Sequence, residues 1–269
     1  MRLPIFQVDA FTSRPFGGNP AAVVPLDEWL PQETMLEIAA ENNLAETAFF
    51  VGNGDRYDIR WFTPKIEIDL CGHATLASAH VLFNELRQEN EIIRFHSHRS
   101  GPLGVRRDGG LIVLDFPSFP LREIEHVPEL AAAEVPPIRS WETQGKMLMM
   151  RLESQEAVQT LVPDMHRLAQ LPYDEIIVTA KGDDCDFASR MFAPKIGIPE
   201  DPVTGAIHCS LVPYWAAELG KNKLFARQVS ARGGELHCEV AGDRVKIGGQ
   251  AVLYLKGAIY VEAEKSAGA

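Results

Sequence analysis

The sequence has few cysteines, and none of them has the spacing of a structural zinc site. Its four cysteines, Cys71, Cys185, Cys209 and Cys238, lie far apart and form no CxxC pair. Zinc ribbons and disulfide scaffolds need closely spaced or numerous cysteines, so neither class is expected. Scattered cysteines are typical of a reducing compartment, and we expect a cytoplasmic protein.

Long apolar runs and an excess of positive charge are also missing. No run reaches the roughly 18 apolar residues of a membrane helix, and the start, MRLPIFQVD, is polar too early for a signal peptide. The chain has 26 Lys and Arg against 37 Asp and Glu, a net charge of −11. Because nucleic acids and anionic membranes are bound through clustered positive charge, we expect neither as a partner.

Recognisable cofactor motifs are absent as well. The sequence contains no GxGxxG, no Walker loop and no HExxH. His96 and His98 share one face of a predicted strand, but no nearby acid or cysteine completes a ligand set, so we interpret them as solvated. The residues therefore predict no cofactor and no metal.

The patterning that is present predicts a globular α+β chain. Apolar residues make up 46% and charged residues 23% of the 269 residues, enough for a full hydrophobic core. Periodicity predicts helices near 31–42, 74–87, 155–160, 164–170 and 205–219. It predicts strands near 4–11, 21–24, 44–51, 57–62, 92–97, 103–107, 111–116, 147–151, 175–180, 185–192, 226–232, 235–241, 244–248 and 251–263.

An internal repeat divides the chain. RWFTPKIEI at 60–68 and RMFAPKIGI at 190–198 are identical at six of nine positions, and each is followed by a glycine-containing turn and an apolar helix. The repeat predicts two pseudo-symmetric domains, each a sheet rolled into a barrel-like shape around its apolar helix. A proline-rich stretch, 117–137, is the best linker candidate, which places the domains at 1–118 and 119–269.

The two turns predict an anion site. Helix N-termini carry free N–H groups and partial positive charge, and two of them facing one cleft would hold a small carboxylate. Gly72 and Gly205 would let the backbone approach such a ligand closely.

Three polar residues are candidates for proton transfer. Glu46 enters an apolar strand, where desolvation would raise its pKa, although an outward-facing glutamate explains the pattern as well. His73 titrates near neutrality, or is a capping or solvent-facing residue. Asp201, at the repeat position of Cys71, could orient His73, share a proton with Glu46, or form the N-cap before Pro202.

Cys71 precedes a predicted helix N-terminus, which would lower its pKa and make it a base or nucleophile. A hydrolase built on Cys71, His73 and an acid is disfavoured, because side chains two residues apart are poorly placed to form a hydrogen bond. A small, partly buried cysteine is the preferred interpretation.

Five ordered motifs, spread over about residues 4–262, resemble the PhzF-like phenazine-biosynthesis family: QVDAFT, FGGNPAAVV, NLAETAF, CGHAT and EDPVTG. The resemblance implies a diaminopimelate epimerase-like fold, with the site between two domains and a last strand, 255–263, that returns to the first domain. It also implies a homodimer. The founding member isomerises trans-2,3-dihydro-3-hydroxyanthranilate without cofactor or metal, and the resemblance gives Glu46 the role of its proton-transferring glutamate. His73 and Asp201 match the family's other polar site residues.

The sequence departs from the phenazine enzyme at two positions. Ala45 and Ala206 stand where that enzyme has serines, which puts the phenazine substrate in doubt. Cys71 matches the first catalytic cysteine of the epimerases, but the second is absent, which disfavours a two-thiol racemase.

We therefore expect an isomerase acting on a small carboxylic acid by acid–base catalysis, with Glu46, His73 and Asp201 as catalytic residues. The expected substrate contacts are Asn19, Cys71, Gly72, Thr204 and Gly205. Two rivals stay open: an amino-acid epimerase based on Cys71, and a non-catalytic metabolite- or protein-binding module.

Overall fold

The computed structural model describes residues 1–125 and 137–262, and its first half is a mixed α+β unit. In chain order the elements are β1 (Arg2–Ala10), β2 (Asn19–Leu26), α1 (Gln32–Asn42), β3 (Glu46–Asn53), β4 (Arg56–Phe62), β5 (Glu67–Ile68), α2 (Gly72–His80), a π-helical turn (Val81–Glu85), β6 (Ile92–Ser97), β7 (Gly101–Asp108), β8 (Leu111–Pro117) and β9 (Arg122–Ile124).

The second half repeats this order with small changes. It contains β10 (Arg139–Thr143), β11 (Met147–Arg151), α3 (Gln155–Thr160), α4 (Met165–Leu168), β12 (Glu175–Lys181), β13 (Phe187–Ala193), a 3-10 turn (Pro194–Ile196), β14 (Ile198–Asp201), α5 (His208–Leu219), β15 (Lys223–Gln228), β16 (Gly234–Ala241), β17 (Arg244–Gly249) and β18 (Ala251–Tyr260).

Strand pairing is the same in both halves. In the first, β2 and β3 are parallel, β4 pairs antiparallel with β3 and parallel with β6, and β6, β7 and β8 form a meander. In the second, β11, β12, β13, β15, β16 and β17 pair in the same senses. The fold is therefore two pseudo-symmetric rolls.

Two kinds of pairing join the rolls. β8 and β17 are antiparallel neighbours, so the two sheets are continuous. The last strand of each half then pairs with the first strand of the other, β9 with β10 and β18 with β1. The division between residues 118 and 119 stays a prediction.

Each roll closes around one apolar helix. Every residue of α2 from Gly72 to Ala79 is buried, and most are small, which lets strands pack against the helix on all sides. Its two hydroxyls are satisfied locally: Thr75 Oγ1 donates to the Cys71 carbonyl at 2.5 Å and Ser78 Oγ to the Ala74 carbonyl at 2.8 Å. In α5, Trp215 Nε1 donates to Thr179 Oγ1 at 3.0 Å.

The predicted elements differ from the structure mainly at short strands. β5, β9, β10 and β14 were not predicted, because two to five residues give too few alternations to be recognised. The strand predicted at 226–232 lies at 223–228, since Ser230 to Gly233 form a turn in which the Ser230 hydroxyl accepts from the Gly233 amide. Part of the predicted linker, and the tail 264–269 that we expect to be frayed, lie outside the described residues.

The repeat register changes after the 3-10 turn. Trp61 and Met191 are equivalent residues of the repeat. Trp61 pairs with Ile68, whereas Met191 pairs with Asp201, so the second half has three extra residues between the strand and its partner. Asp201 is therefore the counterpart of Ile68, and Thr204 that of Cys71. The expectation that Asp201 corresponds to Cys71 was wrong, because it assumed one constant offset.

Across residues 1–125 and 137–262, no α-helix combines the length and apolar character that crossing a bilayer requires.

The junction of the rolls is tightly packed, so we expect a substitution that adds atoms there to destabilise the protein. A Cβ at Gly249 would lie 2.3 Å from Cδ1 of the fully buried Phe11 and 3.2 Å from Leu76. We expect Gly249→Ala to lower the free energy of unfolding by about 1–3 kcal/mol. Urea denaturation measures the change.

Gly104→Ala is the matched control, because nothing lies within 4 Å of the added methyl. We expect a change within about 0.5 kcal/mol there. Equal stability of the two variants would contradict this account of the junction.

Candidate active site

The N-termini of the two central helices meet in the middle of the molecule. A Cβ at Gly72 would lie only 3.3 Å from the Cα of Gly205, so the two backbones are nearly in contact. α2 begins at Gly72, whereas α5 begins at His208, after a turn over 205–207. α5 thus starts three residues later than the helix that we predicted over 205–219. The turn over 205–207 that precedes it lies against the start of α2.

Glu46 and His73 form a buried pair beside this contact. Glu46 is the first residue of β3, and its Oε2 lies 3.0 Å from His73 Nε2. Only 7% of Glu46 and 5% of His73 is exposed, so neither is the outward-facing residue of the alternative interpretation. Burial disfavours the charged ring, but the Cys71 sulfur and the Glu46 carboxylate outweigh burial and raise the pKa of His73 well above its ordinary value.

Asn19 connects this pair to the other half of the molecule. Its Nδ2 donates to Asp201 Oδ1 at 2.8 Å and to the Val203 carbonyl at 2.9 Å, and it lies 3.1 Å from His73 Nδ1. Asn19 is fully buried, and its Oδ1 has no hydrogen-bond partner among the described residues. A buried acceptor without a donor needs a further partner, which a bound ligand or a water molecule can supply.

Asp201 is held by its neighbours rather than capping a helix. Its Oδ2 accepts from the Thr204 hydroxyl, and α5 begins seven residues later, so the N-cap interpretation is wrong. Burial raises the pKa of Asp201 to about 6. The charge of Glu46 adds to this rise, and His73 opposes it. Its carboxyl group therefore gains and loses a proton close to physiological pH.

Gln228 supports this loop and was missed in the sequence. Its Oε1 accepts from the Thr204 amide at 2.8 Å, and its Nε2 donates to the Asp201 carbonyl at 2.9 Å. A lone glutamine near a strand end gives no sequence signal for such a role. Because the Thr204 hydroxyl and amide are both engaged here, Thr204 shapes the site through Asp201.

Cys71 lies within hydrogen-bond distance of the same histidine, so the expectation that side chains two residues apart are poorly placed for such a bond was wrong. Its Sγ is 3.5 Å from His73 Nδ1. The expected lowering of its pKa is wrong, because burial raises the pKa of Cys71 despite the helix N-terminus and His73.

Donor atoms of Glu46, Cys71 and His73 lie within 4.8 Å of one another, so these three residues are spaced to hold a cation. His96 and His98 lie elsewhere, each near a different acid, Asp58 and Glu67. The expected absence of a metal stays a prediction.

The arrangement can move a proton within a closed environment. Glu46, His73, Asn19 and Asp201 follow one another in a chain of contacts, and the side chains of Glu46, His73 and Asp201 are all at least nine-tenths buried. In such surroundings fixed dipoles and charges act with little screening.

The raised pKa of Asp201 predicts a pH-dependent stability. Between about pH 4 and 6 the folded chain keeps a proton on Asp201 that the unfolded chain releases, so stability falls as pH rises through this range. Because asparagine does not ionise, we expect the free energy of unfolding of Asp201→Asn to fall less over this pH range, by up to about 3 kcal/mol. Urea denaturation at pH 4 and pH 7.5 measures the difference, and Asp27→Asn, at an exposed position, is the control. Equal pH dependence in both variants would contradict the assignment.

Comparison with known proteins gives one consistent family. The family model for phenazine biosynthesis-like proteins (PhzC-PhzF) matches residues 8–257. An uncharacterized isomerase of Pseudomonas aeruginosa is 53% identical over 96% of this chain and 99% of its own. Phenazine biosynthesis-like domain-containing protein 2 of Mus musculus is 41% identical over 96% and 99%.

Solved structures agree on the fold. A PhzF-family protein of Enterococcus faecalis superposes with a TM-score of 0.94, 48% identity and coverage of 97% of this chain and 100% of its own. A hydroxyproline epimerase of Agrobacterium vitis, 9% identical, shares the fold alone, with a TM-score of 0.64 over 98% of this chain and 94% of its own. The expected epimerase-like fold is confirmed, and the chain belongs to the phenazine biosynthesis-like (PhzC-PhzF) family.

Proposed function

We propose that the protein is a cofactor-independent isomerase that moves a proton between carbons of a small carboxylic acid. The observation that carries the proposal is the buried contact of 3.0 Å between Glu46 and His73, which Asn19 connects to Asp201. Relatives named as isomerases support the reaction class.

The substrate carboxylate binds where the helix N-termini meet. The first N–H groups of a helix have no acceptors within it, and their dipole favours negative charge. Gly72 and Gly205 have no side chain to block this approach. The same N–H groups stabilise the enolate-like charge that develops when the neighbouring C–H bond is broken.

Glu46 takes the proton and returns it elsewhere. The C–H bond breaks, its proton goes to a Glu46 oxygen, and its electron pair forms a new C=C bond. The electrons of a C=C bond already present in the substrate move at the same time to a more distant carbon, with the charge spread onto the carboxylate. That carbon takes the proton from Glu46 and forms the new C–H bond, so atoms and electrons balance without a co-reactant. His73 orients the Glu46 carboxylate and stabilises its charge. Asp201 relays protons on the opposite side of the cleft.

Two substitutions argue against the substrate of the phenazine enzyme. Ala45 precedes Glu46 and Ala206 follows Gly205, so the serine hydroxyls that the resemblance implies at these positions are missing. A site that lacks two hydrogen-bonding groups selects against a ligand that needs them. The family relation also leads us to infer a cytoplasmic homodimer, and light scattering on the purified chain would give its mass against 29.8 kDa for one copy.

Removing the base tests the proposal. We expect Glu46→Gln, which keeps the side-chain size, to slow C–H to C–D exchange by about 10²–10⁴-fold. The measurement is NMR in D2O with a panel of small acids, including amino acids and dihydro-hydroxyanthranilate. The exposed Glu41→Gln is the control and retains exchange. Undiminished exchange in Glu46→Gln would rule out the assigned role.

The two alternative functions, an epimerase based on Cys71 and a binding module, predict different results. An epimerase based on Cys71 would be inactivated rapidly by thiol reagents, substrate would prevent this, and Cys71→Ser would lose exchange. The raised pKa of Cys71 argues against it, since the thiolate is the reactive form. A binding module would bind small acids tightly and return them with no exchange.

A further inference from the structure

Arg232 reaches from the second half of the chain into the first. It lies in the turn between β15 and β16, and its Nη2 donates to Asp9 Oδ1 at 2.8 Å and to the Gly17 carbonyl at 2.9 Å. Its Nε donates to the Gly18 carbonyl at 2.8 Å. One guanidinium group therefore binds a carboxylate and two carbonyls of the same segment, a geometry that suits the planar fork of donors of an arginine.

Asp9 completes this arrangement from the first half. Only 2% of Asp9 is exposed, and its second oxygen, Oδ2, accepts from the Phe16 amide at 2.9 Å. The Gly18 amide in turn donates to the Gly233 carbonyl at 2.8 Å. Contacts from both halves therefore fix the path of the chain immediately before β2.

Asn19 is the first residue of β2, so its position depends on this turn. Its Nδ2 donates to Asp201 Oδ1 at 2.8 Å and lies 3.1 Å from His73 Nδ1. Gly18, with a φ of +60°, packs directly on β1, where an added Cβ would collide with the Ala10 carbonyl. A shift of the turn would therefore move the Asn19 amide relative to His73 and Asp201.

The corresponding turn of the first half uses its arginine differently. β6 and β7 pair as β15 and β16 do, and Arg99 lies in the turn between them. Arg99 donates to the Glu67 carbonyl at 3.0 Å and forms ion pairs with Glu67 and Asp69, all within the first half. In the second half Gln228 holds the loop that carries Asp201, so the arginine there is available to bind across the junction.

We propose that Arg232, together with Asp9, is a positioning residue of the candidate site. Arg232 holds Asn19 where its amide contacts both His73 and Asp201. Without the guanidinium group a buried carboxylate loses its counter-ion and two carbonyls lose their donor, so the turn relaxes. The effect on turnover rests on the proposed function, whereas the effect on the Asn19 amide does not.

Arg232→Met removes the guanidinium group and keeps an apolar stem, and NMR follows the result. In protein isotopically labelled at asparagine, the side-chain amide signal of Asn19 is assigned by its loss in Asn19→Ala. We expect this amide to exchange with D2O about tenfold faster or more in Arg232→Met, because a buried, hydrogen-bonded group becomes open to water. C–H to C–D exchange of the substrate should fall about ten- to a hundredfold, since a small misplacement within a site is costly.

The pKa of Asp201 gives an independent readout. Burial is the largest influence and raises this pKa to about 6, whereas the hydrogen bond from Asn19 lowers it. Loss of that bond in Arg232→Met should therefore raise the pKa of Asp201 further, by about half to one pH unit. NMR titration of labelled aspartate carboxyl groups measures the change, with the Asp201 signal assigned by its loss in Asp201→Asn.

Arg227→Met is the matched control. The side chains of Arg227 and Arg232 are equally exposed, at 34%, but Arg227 forms its ion pairs with Asp184 and Glu235 of the second half. Both exchange rates should stay within about twofold of the wild type in this variant. Arg232→Lys keeps the charge beside Asp9 but not the fork of donors, so its rates should lie between those of wild type and Arg232→Met.

A purely structural ion pair would give a different pattern. Wild-type exchange of the Asn19 amide and an unchanged pKa of Asp201 in Arg232→Met would overturn the inference, and so would equal effects in Arg227→Met. If Arg232→Met does not fold, the same measurements on Arg232→Lys decide. The expected NMR changes in a protein that exchanges no substrate C–H bond would uphold the positioning role and contradict the isomerase proposal.

Discussion

The close contact between Gly72 and Gly205 is the constraint on which the rest of the structure depends. A single added Cβ would lie 3.3 Å from the opposite backbone, so the two helix N-termini approach as closely as main chains can. The sheet rolled around each helix buries α2 from Gly72 to Ala79 and the first part of α5, from His208 to Val212. The sheet is continuous through β8 and β17, and the exchanged strands fix the two rolls relative to each other.

Most polar groups at this junction are satisfied by one another, and Asn19 Oδ1 is an exception among the described residues. The site does this with a short chain of contacts, from Glu46 to His73, through Asn19 to Asp201, and on to Thr204 and Gln228. Burial raises the pKa of Asp201, and neighbouring negative groups raise that of His73, so both hold protons at pH values where free side chains would release them. The same low-dielectric surroundings that make these charges costly give them influence over a bound ligand.

Much of the architecture could be predicted because it rests on patterns within the chain. The repeat at 60–68 and 190–198 predicts two like rolls, and the apolar runs that follow predict their central helices. Residue pairing across the rolls could not be predicted, since a three-residue insertion before Asp201 changes the offset and leaves no mark in composition. Gln228 was missed for a similar reason: its role depends on a loop 24 residues earlier in the chain.

The two halves of this duplicated fold place different side chains at equivalent positions of the junction. Equivalent positions carry Cys71 and Thr204, His73 and Ala206, and Ile68 and Asp201, so the buried histidine lies on one side of the junction and the buried aspartate on the other. A symmetric site would offer a substrate two identical faces and two identical bases. Here the first roll supplies a carboxylate paired with imidazole, and the second supplies Asp201, whose pKa burial raises to about 6. Two acids with different partners take different protonation states at one pH, which is the condition for one to accept a proton while the other holds one.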